Sequence, residues 1–228
     1  VPMGSTLRQI IFDIGGGLKN GAQFKAVQIG GPSGGCLILD QLDAPLDFDS
    51  VKKLDAIMGS GGLVVMDENT CMVEVARFFM NFTQNESCGK CVPCREGTKR
   101  MLELLTDITE GRGTMEHIEL LETLAETVSA LCGLGKTAAS PVVSTLKYFR
   151  DEYIAHVVDK KCPAGQCKAL TSLQIDPELC KGCTKCARMC PVGAISGNVK
   201  EPHVIDTTKC IKCGACKDGC NFGAVKEV

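Results

Sequence analysis

The chain has 228 residues, a formal net charge of −2 and a hydrophobic content of 44%. This balance gives no sign of a nucleic-acid partner, and no apolar run reaches the ~18 residues that suggest a membrane span. Sixteen cysteines are the dominant feature of the composition. Because the N-terminus lacks the pattern of a secretory signal, we expect a cytoplasmic chain whose cysteines bind metal rather than form disulfides.

Residues 1–68 are predicted to form a small α+β unit. Thr6 can cap a short helix, and apolar runs on both sides of the glycine-rich loop at residues 30–35 are predicted strands, with a third at residues 63–66. The loop is not followed by Lys-Ser/Thr, so a tight turn explains it better than a phosphate-binding loop. Cys36, directly after the loop, is expected in the core rather than at a metal.

Residues 69–159 are predicted to form four antiparallel helices with short loops, a four-helix bundle. Between the first two helices lies a C-x2-C-x2-C run made by Cys88, Cys91 and Cys94. Such a run can place three thiolates around one 4Fe–4S cluster, which needs a fourth ligand from elsewhere. The candidate is Cys132, which we expect at the C-terminal end of the third helix, beside glycines.

Residues 160–228 contain an internal repeat with a period of 30, and each half carries C-x2-C-x2-C-x3-C. In the bacterial two-cluster ferredoxins that have this spacing, the fourth cysteine of each run binds the other cluster. Zinc modules usually pair two separated C-x2-C units instead. The halves differ after the fourth cysteine, where Pro191 stands in one and Asn221 in the other. The predicted ligand sets are Cys180, Cys183, Cys186 and Cys220 for one cluster, and Cys210, Cys213, Cys216 and Cys190 for the other.

A further group of possible ligands lies where the helical region meets the repeat. His156, Cys162 and Cys167 occur within twelve residues, and Cys71 is the fourth candidate by elimination. One histidine and three cysteines suit a tetrahedral zinc ion, which would clip the helices to the tail. The alternative is two unligated thiols in a linker and an exposed histidine at a helix end.

Three stretches together resemble a known family: Glu86–Gly97, the loop from Gly30 to Cys36, and Leu131–Pro141. The family is the NADH-binding flavoprotein subunit of respiratory complex I, with relatives in NAD-dependent hydrogenases and formate dehydrogenases. With its two-cluster tail, the chain most resembles the beta subunit of electron-bifurcating iron–iron hydrogenases. The resemblance implies an α+β multidomain chain. Its parts would be a β-grasp (ubiquitin-like) domain over residues 1–68, a helical 4Fe–4S domain over 69–159, and a linker with a ferredoxin domain over 160–228.

The resemblance also implies a function, which is electron transfer through three 4Fe–4S clusters in an NAD(H)-dependent oxidoreductase. FMN and NAD(H) would bind to an N-terminal domain that no residue here matches, so we expect no catalytic flavin or nicotinamide site in this chain. Other subunits of a complex are the expected partners. The basic excess after residue 168 favours an acidic electron carrier such as a soluble ferredoxin. The alternative function is a zinc-organised structural or interaction module without redox activity.

Overall fold

A three-stranded antiparallel sheet begins the fold, and its central strand is covered on both faces. The structure is a computed structural model that describes residues 1–227. Strand β1 (Phe24–Ile29) lies between β2 (Cys36–Leu37) and β3 (Leu63–Asp67). Side chains alternate along a strand, so Val27 enters one core and Ala26 enters another on the opposite face.

The first core lies between the sheet and the N-terminal segment. Thr6 Oγ1 accepts a hydrogen bond from the N–H of Gln9 at 3.2 Å, so this residue begins a helical segment as predicted. Its turns over Gln9–Ile14 are π-helical rather than α-helical. Helix α1 (Phe48–Lys53), whose first turn is capped by the Asp47 carboxylate, completes the layer. The core consists of Leu7, Ile11, Val27, Ile29, Leu37, Leu42, Val51 and Ala56.

The glycine-rich loop is a tight turn between β1 and β2, as expected. The N–H of Gly34 donates to the Gly31 carbonyl at 2.8 Å, and Gly31 has a positive φ of 77°. Cys36 follows in the second core at 1% exposure, and its N–H donates to Ser144 Oγ at 3.1 Å. This cysteine is therefore part of the core, as its sequence context predicted.

Five helices follow the sheet, and the four long ones pack against one another. Helix α2 packs on α3 and α6, and α4 packs on the same two helices. Tyr153 is fully buried among them, and its hydroxyl lies 2.7 Å from Thr145 Oγ1. Their bounds are α2 (Met72–Asn85), α3 (Val92–Thr109), α4 (Met115–Thr127), α5 (Gly133–Thr137) and α6 (Ser140–Val157).

The end of α4 differs from the sequence expectation. The helix stops at Thr127 and Val128 is extended, so Cys132 does not end this helix but directly precedes α5. The physical reason is a tertiary contact: Val128 packs against Gly97 of α3, where an added Cβ would overlap the valine side chain. The chain therefore leaves the helical path before Cys132.

The repeat forms a second unit, Lys168–Val228, which is distinct from the first unit, Val1–Cys167. The first strand of each half pairs antiparallel with the last strand of the other half, β4 with β7 and β6 with β5. Equivalent hydrogen bonds recur, because Asp176 N–H donates to Ala224 O and Asp206 N–H donates to Ala194 O, both at 2.7 Å. The elements are β4 (Leu173–Ile175), α7 (Lys185–Met189), β5 (Ile195–Ser196), β6 (Val204–Ile205), α8 (Ala215–Asp218) and β7 (Val225–Glu227).

The chain is thus a mixed α and β structure. The halves of its second unit are interlocked, in the sense that each strand of one half pairs with a strand of the other. Within residues 1–227, no helix has both the length and the apolar character needed to cross a membrane.

The contact between Gly97 and Val128 yields a testable expectation. Gly97→Ala should destabilise the first unit by ~1–3 kcal/mol, because the added methyl group overpacks the site. A lower denaturant midpoint measures this loss, and Val128→Ala in the same chain should recover most of it. Gly133→Ala is the matched control, since a Cβ there meets no atom within 4 Å. An unchanged midpoint for Gly97→Ala would contradict the packing described.

Candidate metal centres

The most compact candidate is a group of four buried ligands in the first unit. Its members are Cys71, His156, Cys162 and Cys167, and their ligand atoms all lie within 4.8 Å of one another. Cys71 directly precedes α2, His156 lies in the last turn of α6, and the two other cysteines follow α6. The structure therefore brings together all four residues of the predicted zinc site, and His156 is buried rather than exposed.

The distances in this group suit one tetrahedral ion. Cys71 Sγ lies 3.7 Å from Cys167 Sγ, and His156 Nε2 lies 3.3 Å from each of these sulfurs. Zinc bonds of ~2.3 Å to sulfur and ~2.0 Å to nitrogen would separate two tetrahedral sulfurs by about 3.8 Å, and sulfur from nitrogen by about 3.5 Å. The donor set and its spacing thus fit zinc.

Electrostatics at this site favour a positive charge among the sulfurs. Burial lowers the pKa of His156, but hydrogen bonds with Cys162 and Cys71 outweigh it and raise that pKa to about 10. Hydrogen bonds from the thiols of Cys167 and Cys71 lower the pKa of Cys162. A thiolate in this group is stabilised by a positive charge beside it. That charge is either the protonated imidazole of His156 or a bound metal ion.

Glu152 supports this site and was not singled out by the sequence. His156 Nδ1 donates to the Glu152 backbone carbonyl at 2.7 Å, which is a usual partner for a metal-binding histidine. The Glu152 carboxylate accepts the N–H of Met72 at 3.0 Å and pairs with Lys25 at 2.6 Å. It therefore ties α6 to the start of α2 and to β1. The only sequence signal was its position one helical turn before His156.

The C-x2-C-x2-C run lies at the start of α3. Cys91 precedes the helix, and Cys94 lies buried in its first turn, with Ser87 Oγ at 3.5 Å from its sulfur. Cys88 and Cys132 are exposed. A Cβ added to Gly135, in the turn after Cys132, would lie 3.5 Å from Cys94 Sγ. The segment that carries Cys132 thus closely approaches Cys94.

Two small cysteine-lined hollows lie in the second unit. The interlocked strands explain their composition, because Cys220 precedes β7, which pairs with β4, and β4 precedes Cys180. Each hollow therefore takes three cysteines from one half and one from the other. Four thiols in a largely apolar hollow fit a 4Fe–4S cluster. The first hollow is lined by Cys180, Cys183, Cys186 and Cys220, and the second by Cys190, Cys210, Cys213 and Cys216.

Backbone N–H groups stabilise thiolates in both hollows. Burial raises the pKa of Cys220, but backbone N–H groups, those of Phe222 and Ala224 foremost, outweigh this effect and lower it. In the second hollow, the N–H of Ala194 donates to Cys190 Sγ at 3.2 Å. Hydrogen bonds of this kind favour the deprotonated sulfur that binds iron.

Two further side chains lie outside the predicted ligand sets. Burial raises the pKa of Cys36 to about 11, so its thiol stays neutral and its place is in the core. His203 lines the first hollow with a buried Nε2 that has no hydrogen-bond partner among residues 1–227. Sequence reasoning missed His203. The available signal was its position in the repeat, where the other half has Leu173.

Two family matches cover the C-x2-C-x2-C run and the first half of the repeat. Residues 74–156 match the NADH-ubiquinone oxidoreductase-F iron–sulfur binding region, and residues 173–196 match a 4Fe–4S binding domain. The first of these matched regions contains the C-x2-C-x2-C run and Cys132.

Curated and solved relatives agree with these matches. The chain is 56% identical over 205 residues to the NADP-reducing hydrogenase subunit HndC of Solidesulfovibrio fructosivorans, covering 89% of this chain and 42% of that protein. It is 40% identical over 170 residues to the F subunit of the NADH-quinone oxidoreductase of Streptomyces coelicolor, covering 74% and 38%. An NAD+-reducing NiFe hydrogenase matches with a TM-score of 0.59 and 30% identity, covering 69% of this chain and 26% of that one.

The resemblance to flavoprotein and hydrogenase subunits that the cysteine motifs indicated is confirmed. The chain spans about two fifths of the length of these curated relatives.

Proposed function

We propose that this chain is an electron-transfer module with three 4Fe–4S clusters and one zinc ion, part of a larger NAD(H)-dependent oxidoreductase. The observation that carries the proposal is the pair of hollows in the second unit, each lined by four cysteines from both halves. A bound 4Fe–4S cluster supplies one-electron oxidation and reduction. The protein's part is to hold it by thiolates, surround it with apolar side chains and donate N–H groups to sulfur.

In the first unit, Cys88, Cys91, Cys94 and Cys132 would hold the third cluster. The buried Cys94 and the close approach of the turn after Cys132 support this assignment. The first turn of α3 adds backbone N–H groups whose partial positive charge favours an anionic group. The donor set is four thiols, as in the second unit.

Domain names from the resemblance belong to the same proposal. Residues 1–68, with their three-stranded sheet, would be a β-grasp domain, and residues 69–159, with four packed helices, a bundle. Residues 160–228 would be the linker and the two-cluster ferredoxin domain. Antiparallel pairing of β1 with both neighbours and the mutual packing of α2, α3, α4 and α6 support these assignments.

The names of the relatives indicate which other proteins this module works with. Those relatives are named as subunits of a hydrogenase and of NADH-quinone oxidoreductases, so we propose that this chain works beside other subunits. FMN and NAD(H) would bind outside these residues, and a soluble ferredoxin would exchange electrons with the basic second unit. Sixteen cysteines without a disulfide among residues 1–227 favour a reducing compartment such as the cytoplasm.

The zinc-organised module without redox activity is the second candidate. The four-ligand group in the first unit favours it, since its distances suit a single ion. The family matches weigh against it as the whole function, because both describe iron–sulfur binding. We therefore assign zinc a structural part within an electron-transfer module.

Iron content tests the assignment of the third cluster. Anaerobically purified protein should contain about twelve iron per chain. Cys132→Ala should lose about four of these while the clusters of the second unit remain visible by EPR. Cys36→Ala, which removes a cysteine that we place in no metal site, should keep all of them. Unchanged iron in Cys132→Ala would exclude this residue as a ligand.

Paired substitutions test which cysteines share a cluster. Cys190→Ala with Cys213→Ala should disturb one EPR signal, because both residues line the second hollow. Cys190→Ala with Cys183→Ala should disturb two signals, because Cys183 lines the first. The opposite pattern would mean that each run of four holds its own cluster.

Elemental analysis tests the zinc site. Wild-type protein should contain one zinc ion per chain, and Cys162→Ser should lose it with the iron content intact, because a tetrahedral structural site needs all four ligands. Cys36→Ala again serves as the control and should retain zinc. Absence of zinc from anaerobically prepared wild-type protein would rule out the assignment.

A further inference from the structure

We propose that the two hollows of the second unit hold clusters of unequal reduction potential, and that the first hollow is the stronger electron acceptor. The first hollow is lined by Lys181, Lys185 and His203 in addition to its cysteines. The inference rests on the proposed function, since it requires a 4Fe–4S cluster in each hollow.

The two hollows can be compared position by position. Every residue that lines the first hollow stands thirty positions from a residue that lines the second. Because the cysteines and the surrounding strands are duplicated, differences between the hollows reduce to substitutions at matched positions. The matched pairs that differ in chemistry or size are Lys181 and Ile211, Lys185 and Ala215, His203 and Leu173, Phe222 and Val192, and Val225 and Ile195.

The lysines distinguish the hollows by charge. Reduction adds one negative charge to a cluster, so a nearby cation stabilises the reduced form and raises the potential. Lys185 is half-buried, whereas Lys181 is exposed and its charge is more strongly screened by solvent. Neither forms an ion pair among residues 1–227. The matched residues of the second hollow, Ile211 and Ala215, carry no charge.

Asn221 gives this charge a defined position. The Lys185 ammonium donates to Asn221 Oδ1 at 3.1 Å, and Asn221 directly follows Cys220. The other half has Pro191 at the matched position, and proline offers no side-chain acceptor. Asn221, which departs from the repeat, therefore supplies the oxygen that holds the Lys185 ammonium beside the first hollow. Asn221 is a positioning residue for Lys185.

His203 adds a polar group where the second hollow has a leucine. Its Nδ1 donates to the Glu201 carbonyl at 3.1 Å, and the ring packs against Gly197, where an added Cβ would lie 2.7 Å from Cγ. These contacts hold Nε2 at the wall of the hollow without a partner among the described residues. Because Nδ1 carries the proton in this hydrogen bond, Nε2 of the neutral ring is an acceptor and offers no N–H to a cluster sulfur, so the difference in charge between the hollows comes from the lysines.

Cations near the second hollow are engaged elsewhere. Lys209 pairs with Asp206 at 3.4 Å, and Lys217 pairs with Glu227 at 2.8 Å. The Lys212 ammonium donates to the Ala169 carbonyl, which does not neutralise its charge, but Lys212 does not line the hollow. Uncompensated positive charge among the lining residues is thus confined to the first hollow.

The consequence is a preferred resting place for one electron. When a single electron is shared by the unit, the cluster of the first hollow is reduced and that of the second stays oxidised, and no bond forms or breaks. We expect at least tenfold more molecules with the electron at the first hollow than at the second. For a one-electron couple, tenfold corresponds to about 59 mV.

The experiment is a dithionite titration of the full, cluster-loaded chain followed by EPR. Wild-type protein should show two midpoints in the second unit that differ by the tenfold ratio or more. Lys181→Ile with Lys185→Ala copies the second hollow into the first and should lower the higher midpoint. Ile211→Lys with Ala215→Lys makes the reciprocal change and should raise the lower midpoint.

Smaller changes separate charge from packing. Lys185→Met keeps the aliphatic stem and should lower the higher midpoint even if the double variant fails to assemble its clusters. Asn221→Pro should lower it by less, because the ammonium remains but is no longer held. The lower midpoint should stay constant in both of these variants, which shows that the fold and the second cluster are intact.

The possible outcomes are distinct. Equal midpoints in wild-type protein, or a shift of the lower midpoint in Lys185→Met, would overturn the inference and leave the proposed function standing. Iron-free protein after anaerobic purification would refute the proposed function and this inference with it.

Discussion

Thiolates packed against one another inside a protein are stable only when positive charge lies among them, and the proposed metal centres depend on this constraint. In the first unit, Cys71 and Cys167 lie 3.7 Å apart in a group with 0% exposure at His156. In the second unit, five buried residues form the core, and Cys216 is one of them. A unit with such a small core would gain stability from the metal ligation that we propose. In that proposal the cysteines are structural as well as functional.

Local sequence patterns were sufficient for much of the fold. Alternating and helical apolar spacing located the three strands of the first sheet and the four long helices, because those patterns depend on residues close in sequence. The end of α4 could not be obtained this way. It depends on Val128 packing against Gly97, thirty-one positions earlier, where only glycine leaves room. The π-helical turns at Gln9–Ile14 likewise had no signal in the apolar spacing.

In the candidate sites, too, some features follow from local sequence and others depend on tertiary contacts. Cysteine spacing predicted each of the proposed ligand groups, since chelation by one cluster restricts the spacing along the chain. The supporting residues were not visible, because each acts through a contact formed only in the folded chain. Glu152 reaches Met72 across eighty positions, and Lys185 reaches Asn221 across thirty-six. In a repeat, some of these supporting residues can be found from the sequence. A polar residue in one half that stands opposite an apolar residue in the other half is such a signal.

Interlocked strands give the repeat a further property. Each hollow takes three cysteines from one half and the fourth from the other, so the proposed cluster in either hollow would crosslink both halves. Neither half lines a hollow with four cysteines of its own. The geometry of both sites is therefore held by the shared backbone, through equivalent bonds such as those of Asp176 and Asp206. Side chains at matched positions are then free to differ, which is how one fold can hold two chemically alike clusters in unlike surroundings.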